Sequence, residues 1–164
     1  MKLDINKVAN VTLYMLEKKV ENLNDKKLLA LLFMMDNAHL EEHGEKIFGD
    51  TYIKAKRTPE AEIMGDIFDI IANDIDLEED DERLYIITEF LEFLDIEILA
   101  KEKFIELNFV KMEEDYDKSI FSENEKIIIG ATVAKYLTET PRQMANATFG
   151  IEKVRTTPVG EVII

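Results

Sequence analysis

Apolar positions recur along this chain first with a helical period. Ile5, Val8, Val11, Thr12 and Met15 share one face, Leu16 and Val20 extend it, and Asp4 is placed to cap the first turn. Residues 22–25, with two Asn and an Asp, interrupt the pattern. A second helix is predicted from about Lys26 to His43, stopping at Gly44, a residue suited to the left-handed position after a helix end. Its first two turns are apolar all round, so it is expected at the centre of the core.

The period then changes. Ile47-Phe48, Gly49-Asp50 and Thr51-Tyr52-Ile53 read as a tight hairpin, because Gly supplies the positive φ that such turns need. Helical signals return at Thr58-Pro59-Glu60, with Thr as cap and Pro at the first helical position. Ile63, Ile67, Phe68 and Ile71 form the face of that third helix. Residues 74–82 form a solvated acidic linker, and a fourth helix carries Leu84, Ile87, Leu91 and Leu94. Residues 105–109 alternate with period two and predict a strand. Ser122 to Glu125 is a capping box ahead of Ile127 to Ile129, and Thr140 to Gln143 repeats its logic. Glu161 to Ile164 is apolar enough to dock as a short edge strand. The fold class expected is mainly α: a compact helical domain with a small β-hairpin and short antiparallel strands, one domain over residues 1–164.

Composition narrows the function classes. The 164 residues carry 35 acidic and 20 basic side chains, a net charge of −15. Nucleic acids are polyanions whose binding proteins cluster Lys and Arg, and Lys54, Lys56 and Arg57 are too few to offset this, so no nucleic-acid partner is expected. With no cysteine, disulfides, thiolate zinc sites and cysteine nucleophiles are excluded. The N-terminus has no apolar core of the signal-peptide type. The longest apolar run, Leu28 to Met35, is well short of the roughly 20 residues that a span needs. No membrane association and a cytoplasmic location are expected.

One motif carries possible chemistry. His39-Leu40-Glu41-Glu42-His43 matches the H-x-x-E-H pattern of inverted zinc peptidases, in which two His on one helix face chelate zinc and the Glu activates water. These are the chain's only two His, and no third ligand stands out, so they are better explained as lining the last turns of a buried helix. The acids from Asp74 to Glu78 alternate as in a calcium loop, but Glu79 and Tyr85 stand where that loop needs Gly and Glu. No catalytic residue, metal or cofactor is assigned.

The order of motifs resembles the Panacea domain, the SocA-like antitoxin family. Lys7-Val8-Ala9-Asn10, the run Lys27-Leu28-Leu29 to Phe33, and Asp36-Asn37-Ala38-His39-Leu40 leading to Gly44 are similar to its N-terminal motifs. Gly49 to Lys56, Thr58-Pro59-Glu60 and the cap at Phe121 to Glu125 match further motifs, with Thr58 in place of the family Gly. The family commonly has a His and then a Trp near the C-terminus, where this chain has Phe149 and Val154. The resemblance implies an antitoxin-like, non-enzymatic protein of bacteria or prophages. Such a protein binds a cognate toxin and neutralises it or delivers it, with a protease or chaperone as further partner. Alternatives are a metal-dependent hydrolase using His39, Glu42 and His43, and a phage or mobile-element protein with a host partner. The expected partner surface is Tyr52, Lys54, Lys56, Arg57 and Glu60, which gathers aromatic and basic side chains in an acidic chain.

Overall fold

Helix α2 (Asp25–His43) is the post around which the other elements pack. The Asn24 side chain accepts from the Lys27 amide at its start, and Gly44 closes it in the left-handed region at φ 79. Leu28, Leu31, Leu32, Phe33 and Met35 are at most 1% exposed, as an apolar-all-round helix requires. A computed structural model describes residues 3–164; the first two residues of the expected 1–164 span lie outside them. Among the described residues there are seven α-helices and two antiparallel two-stranded sheets, a mainly α fold as expected. None of these helices is long and apolar enough to cross a membrane.

Helix α1 (Ile5–Glu17) is capped by Asp4 and buries Val8, Val11, Leu13 and Met15. The strands β1 (Tyr52–Lys54) and β2 (Pro59–Ala61) form a short hairpin that leads into α3 (Glu62–Ala72). After the exposed acidic stretch come α4 (Glu82–Leu91) and a longer hairpin, β3 (Leu94–Ala100) with β4 (Ile105–Lys111). Phe68, Phe90 and Phe109 meet beneath it with ring centroids 5.6–6.1 Å apart, at separations favourable for aromatic pairs. Helices α5 (Glu123–Lys135) and α6 (Pro141–Phe149) both begin with complete capping boxes, on Ser122 and Thr140. A short α7 (Glu152–Thr156) follows, and the tail returns to bridge Val162 with Ile53.

Three sequence expectations are corrected. The hairpin is not centred on Gly49-Asp50; it joins residues 52–54 to 59–61. The backbone at 47–48 is otherwise engaged, since both amides donate to Asp36 and the Phe48 carbonyl accepts from the Asp4 amide. Thr58-Pro59-Glu60 does not start a helix either: Pro59 and Glu60 pair with β1, and α3 begins at Glu62. Finally, Leu94 does not continue α4. It opens β3, where Leu94, Ile96 and Ile98 alternate with Asp95 and Glu97.

Candidate functional site

The polar groups inside this protein act as ties between segments. Asp36, on α2, is fully buried; its Oδ1 accepts from the Ile47 and Phe48 amides at 2.7 and 2.8 Å, and its Oδ2 from the Tyr52 hydroxyl at 2.8 Å. Burial outweighs those hydrogen bonds and pushes the carboxyl up to about 6. Asp50 does the corresponding work for α3, whose own N-cap residue, Ala61, has no side-chain acceptor. Its two oxygens accept from the Ile63 and Met64 amides, both at 2.9 Å, so the helix is capped from 13 residues upstream. Burial raises this carboxyl as well.

The residues expected at the partner surface therefore divide. Tyr52 is 1% exposed and Lys54 5%. Both lie on the inward face of β1, because alternate strand residues share a side, and here that side is the core. The Lys54 ammonium donates to the Val154 carbonyl and, at 3.2 Å, to that of Thr157, fastening α7 to the hairpin. Neither side chain is available for direct contact. Lys56, Arg57 and Glu60, beyond the strand end and on the outward parity, are exposed. The Arg57 guanidinium lies 4.4 Å from the centre of the Phe149 ring, where cation and π-face attract.

The His39 pair is likewise set in the scaffold. His39 is 3% exposed, with Nδ1 2.6 Å from the Glu45 carbonyl. A carbonyl only accepts, so Nδ1 carries the proton, and the ring holds the chain leaving α2. The His43 Nε2 is 3.6 Å from Glu42, near the surface. Among the described residues no group of three or more His, Asp or Glu side chains converges as metal ligands would.

What sequence reasoning missed is the space beside the hairpin turn. A groove of about 510 Å³ runs between that turn and α6, with α2 and α3 as its floor. Leu29, Ala30 and Phe33 of α2, Phe68 of α3 and Ala145 of α6 supply apolar surface, while Asp25, Lys26, Glu60, Asp69 and Arg142 add charge. Outside this lining, the Arg57–Phe149 contact joins the turn to the end of α6. Small residues leave the room: a Cβ on Gly65 would meet only the Glu60 Cγ, at 3.8 Å. The one available signal is that Ala30, Gly65 and Ala145 are small residues on three different helices. The lining thus combines an apolar floor with charged groups at its rim, a composition able to hold an apolar side chain and orient it by charge.

Comparison with known proteins accords with the motifs. The family described as antitoxin SocA-like, Panacea domain, matches residues 28–150, from the second turn of α2 to the end of α6. No curated protein and no solved structure matches. With three-quarters of its length covered, and with the buried Asp36, His39 and Tyr52 ties inside the matched span, the chain belongs to the SocA-like Panacea antitoxin family.

Proposed function

We propose that this protein is an antitoxin that grips a cognate bacterial or prophage toxin across the groove between the hairpin turn and α6. It then either blocks the toxin or delivers it to a protease. The observation in support is the groove itself: a concave surface with an apolar floor, with Lys56, Arg57 and Glu60 exposed at the turn beside it. Tyr52 and Lys54 serve this surface from below, by fixing the strand that carries the turn. Such recognition is non-enzymatic and needs one domain, residues 1–164, in the cytoplasm. The −15 charge argues against nucleic acid as the partner.

The test is a growth assay with the product of the adjoining reading frame as the toxin. The double variant Lys56→Glu, Arg57→Glu should keep the parent circular dichroism, with only the small drop in melting temperature that loss of the Arg57–Phe149 contact entails, yet lose protection. Full protection by the folded double variant would place the contact elsewhere. Immunoblotting the toxin separates blocking, which leaves its level unchanged, from delivery, which lowers it.

A further inference from the structure

The outer edges of the longer hairpin differ. The Lys101 amide donates to the Phe104 carbonyl at 2.8 Å, which sets the hydrogen-bonded pairs at Leu99–Glu106, Glu97–Asn108 and Asp95–Val110. The backbone N–H and C=O groups of Ile96, Ile98 and Ala100 therefore point away from β4. On the β4 side the matching edge is covered: the Leu107 amide donates to Asp25 Oδ1 at 3.2 Å, and Asn24 holds the Glu106 side chain at 3.0 Å. The β3 edge has no such cover. The Ile96 amide turns to the Asp95 side chain next to it, and among the described residues the Ile98 and Ala100 amides meet no backbone acceptor. The Ile98 side chain is 49% exposed.

Charge decides what can pair there. Residues 74–100 carry eleven Asp and Glu against one basic residue, Arg83, which is itself held by Asp81 at 2.8 Å and Asp66 at 3.2 Å. A second copy of β3 laid along this edge would bring Asp95 and Glu97 close to their own counterparts, and like charges facing each other across a ladder repel. A cationic strand would meet the opposite situation. We propose that the open edge of β3 is a docking site for an extended segment of a basic protein in which Lys or Arg alternates with apolar residues. The segment adds as a third strand on the Ile96, Ile98 and Ala100 backbone, its apolar residues continuing the face of Ile98 and its cations lying over Asp95 and Glu97. This surface is separate from the groove, which lies toward the covered β4 edge.

The probes are two fluorescein-labelled octapeptides of equal charge, alternating Lys-Val and alternating Lys-Pro, titrated into the full chain by anisotropy. At about 0.15 M salt, where long-range attraction is screened, Lys-Val should bind at least about ten-fold more tightly, because Lys-Pro cannot complete a ladder. Ile98→Pro should reduce Lys-Val binding to the Lys-Pro level; proline is tolerated where the lost N–H faces solvent. Equal affinity of the two peptides, or undiminished binding by folded Ile98→Pro, overturns the proposal. If that variant does not fold, amide exchange in the parent decides. Saturating Lys-Val should slow the Ile98 and Ala100 amides about ten-fold or more, and unchanged exchange there overturns the proposal. Lys56→Glu, Arg57→Glu should leave peptide binding intact, so failure at the groove and failure at the edge are distinguishable.

Discussion

The two hairpins are built on the same plan and secured in opposite ways. The short one has strands of three residues, too small to hold by themselves, and nearly every group around it is engaged. On the side of β1 away from β2, the Tyr52 and Lys54 amides donate to Ile164 and Glu161, and the Ile163 and Gly160 amides donate back. Beneath it, Asp36 holds Tyr52 and the Lys54 ammonium holds α7. The long hairpin has seven-residue strands, an apolar underside against Phe68 and Phe90, and one open edge. In the short hairpin, buried polar ties give the turn beside the groove a fixed position. In the long one, apolar burial is joined by polar ties only on the β4 edge, from Asp25 and Asn24, and the other edge is left free.

Removing the main tie should break the first arrangement and spare the second. Asp36→Ala leaves two amides and one hydroxyl without partners in a fully buried place, which should cost about 3 kcal/mol or more. Urea denaturation measures it. Exchange should accelerate at Tyr52 and Lys54 well before Glu106 and Asn108, whose amides lie in the longer ladder, and a loss below about 1 kcal/mol would mean that the hairpin does not depend on Asp36.

The same carboxyl gives the short hairpin a pH dependence. Asp36 is pushed from 3.8 to about 6 in the folded protein, so the folded form binds the proton more readily than the unfolded form. Its contribution to stability is therefore greatest below about pH 4 and declines as pH rises through about 6, by on the order of 3 kcal/mol in all. Asp36→Asn keeps oxygen for the amides and has an NH₂ for Tyr52 but does not titrate. Stability of the parent minus that of the variant should fall between pH 4 and 7. Asp25 and Asp50, also raised by burial, are common to both proteins and cancel. A difference that stays flat over this range would show that Asp36 titrates normally.

A smaller effect is expected at the C-terminal side. Lys54→Met removes the ammonium shared by the Val154 and Thr157 carbonyls and should cost about 1–2 kcal/mol. Amides from 152 to 164 should exchange faster while those of β3 and β4 do not change. Equal acceleration in both hairpins would mean that they unfold as one unit.

How much of this is legible in the sequence follows the range over which each device acts. The caps at Asp4, Ser122 and Thr140, the end of α2 at Gly44, strand β4 and the docked tail all rest on neighbours in sequence, and all are present. The hairpin register departs from its local signal because Asp36 takes the amides of residues 47 and 48, a contact no local pattern encodes. The start of α3 departs from it because Asp50 caps the helix at a distance, whereas Thr58 and Pro59 carry the local signal. Strand β3 hides behind Leu94, which falls at helical spacing from Ile87 and Leu91 while also opening the alternation with Asp95. At the site, pattern alone puts Lys56, Arg57 and Glu60 outside, but the inward parity of Tyr52 and Lys54 depends on which face of β1 meets the core. The groove needs three helices brought together and has no linear signature.

The smallest effect on stability belongs to the open edge, and it tests whether charge keeps that edge free. Asp95 and Glu97 are exposed, and neither side chain forms an ion pair among the described residues. Replacing both with Thr, a good strand former, should change stability by no more than about 0.5 kcal/mol per site. The consequence lies instead in association. Without the two carboxylates, Ile96, Ile98 and Ala100 present a neutral seven-residue edge that a second copy can extend in antiparallel register. Sedimentation of the double variant should show average mass rising with concentration more steeply than in the parent, and about 1 M salt should have the same tendency in the parent by screening the carboxylates. If the double variant matches the parent at every concentration, something other than charge closes β3, and the contrast between the two hairpins would reduce to the length of their strands.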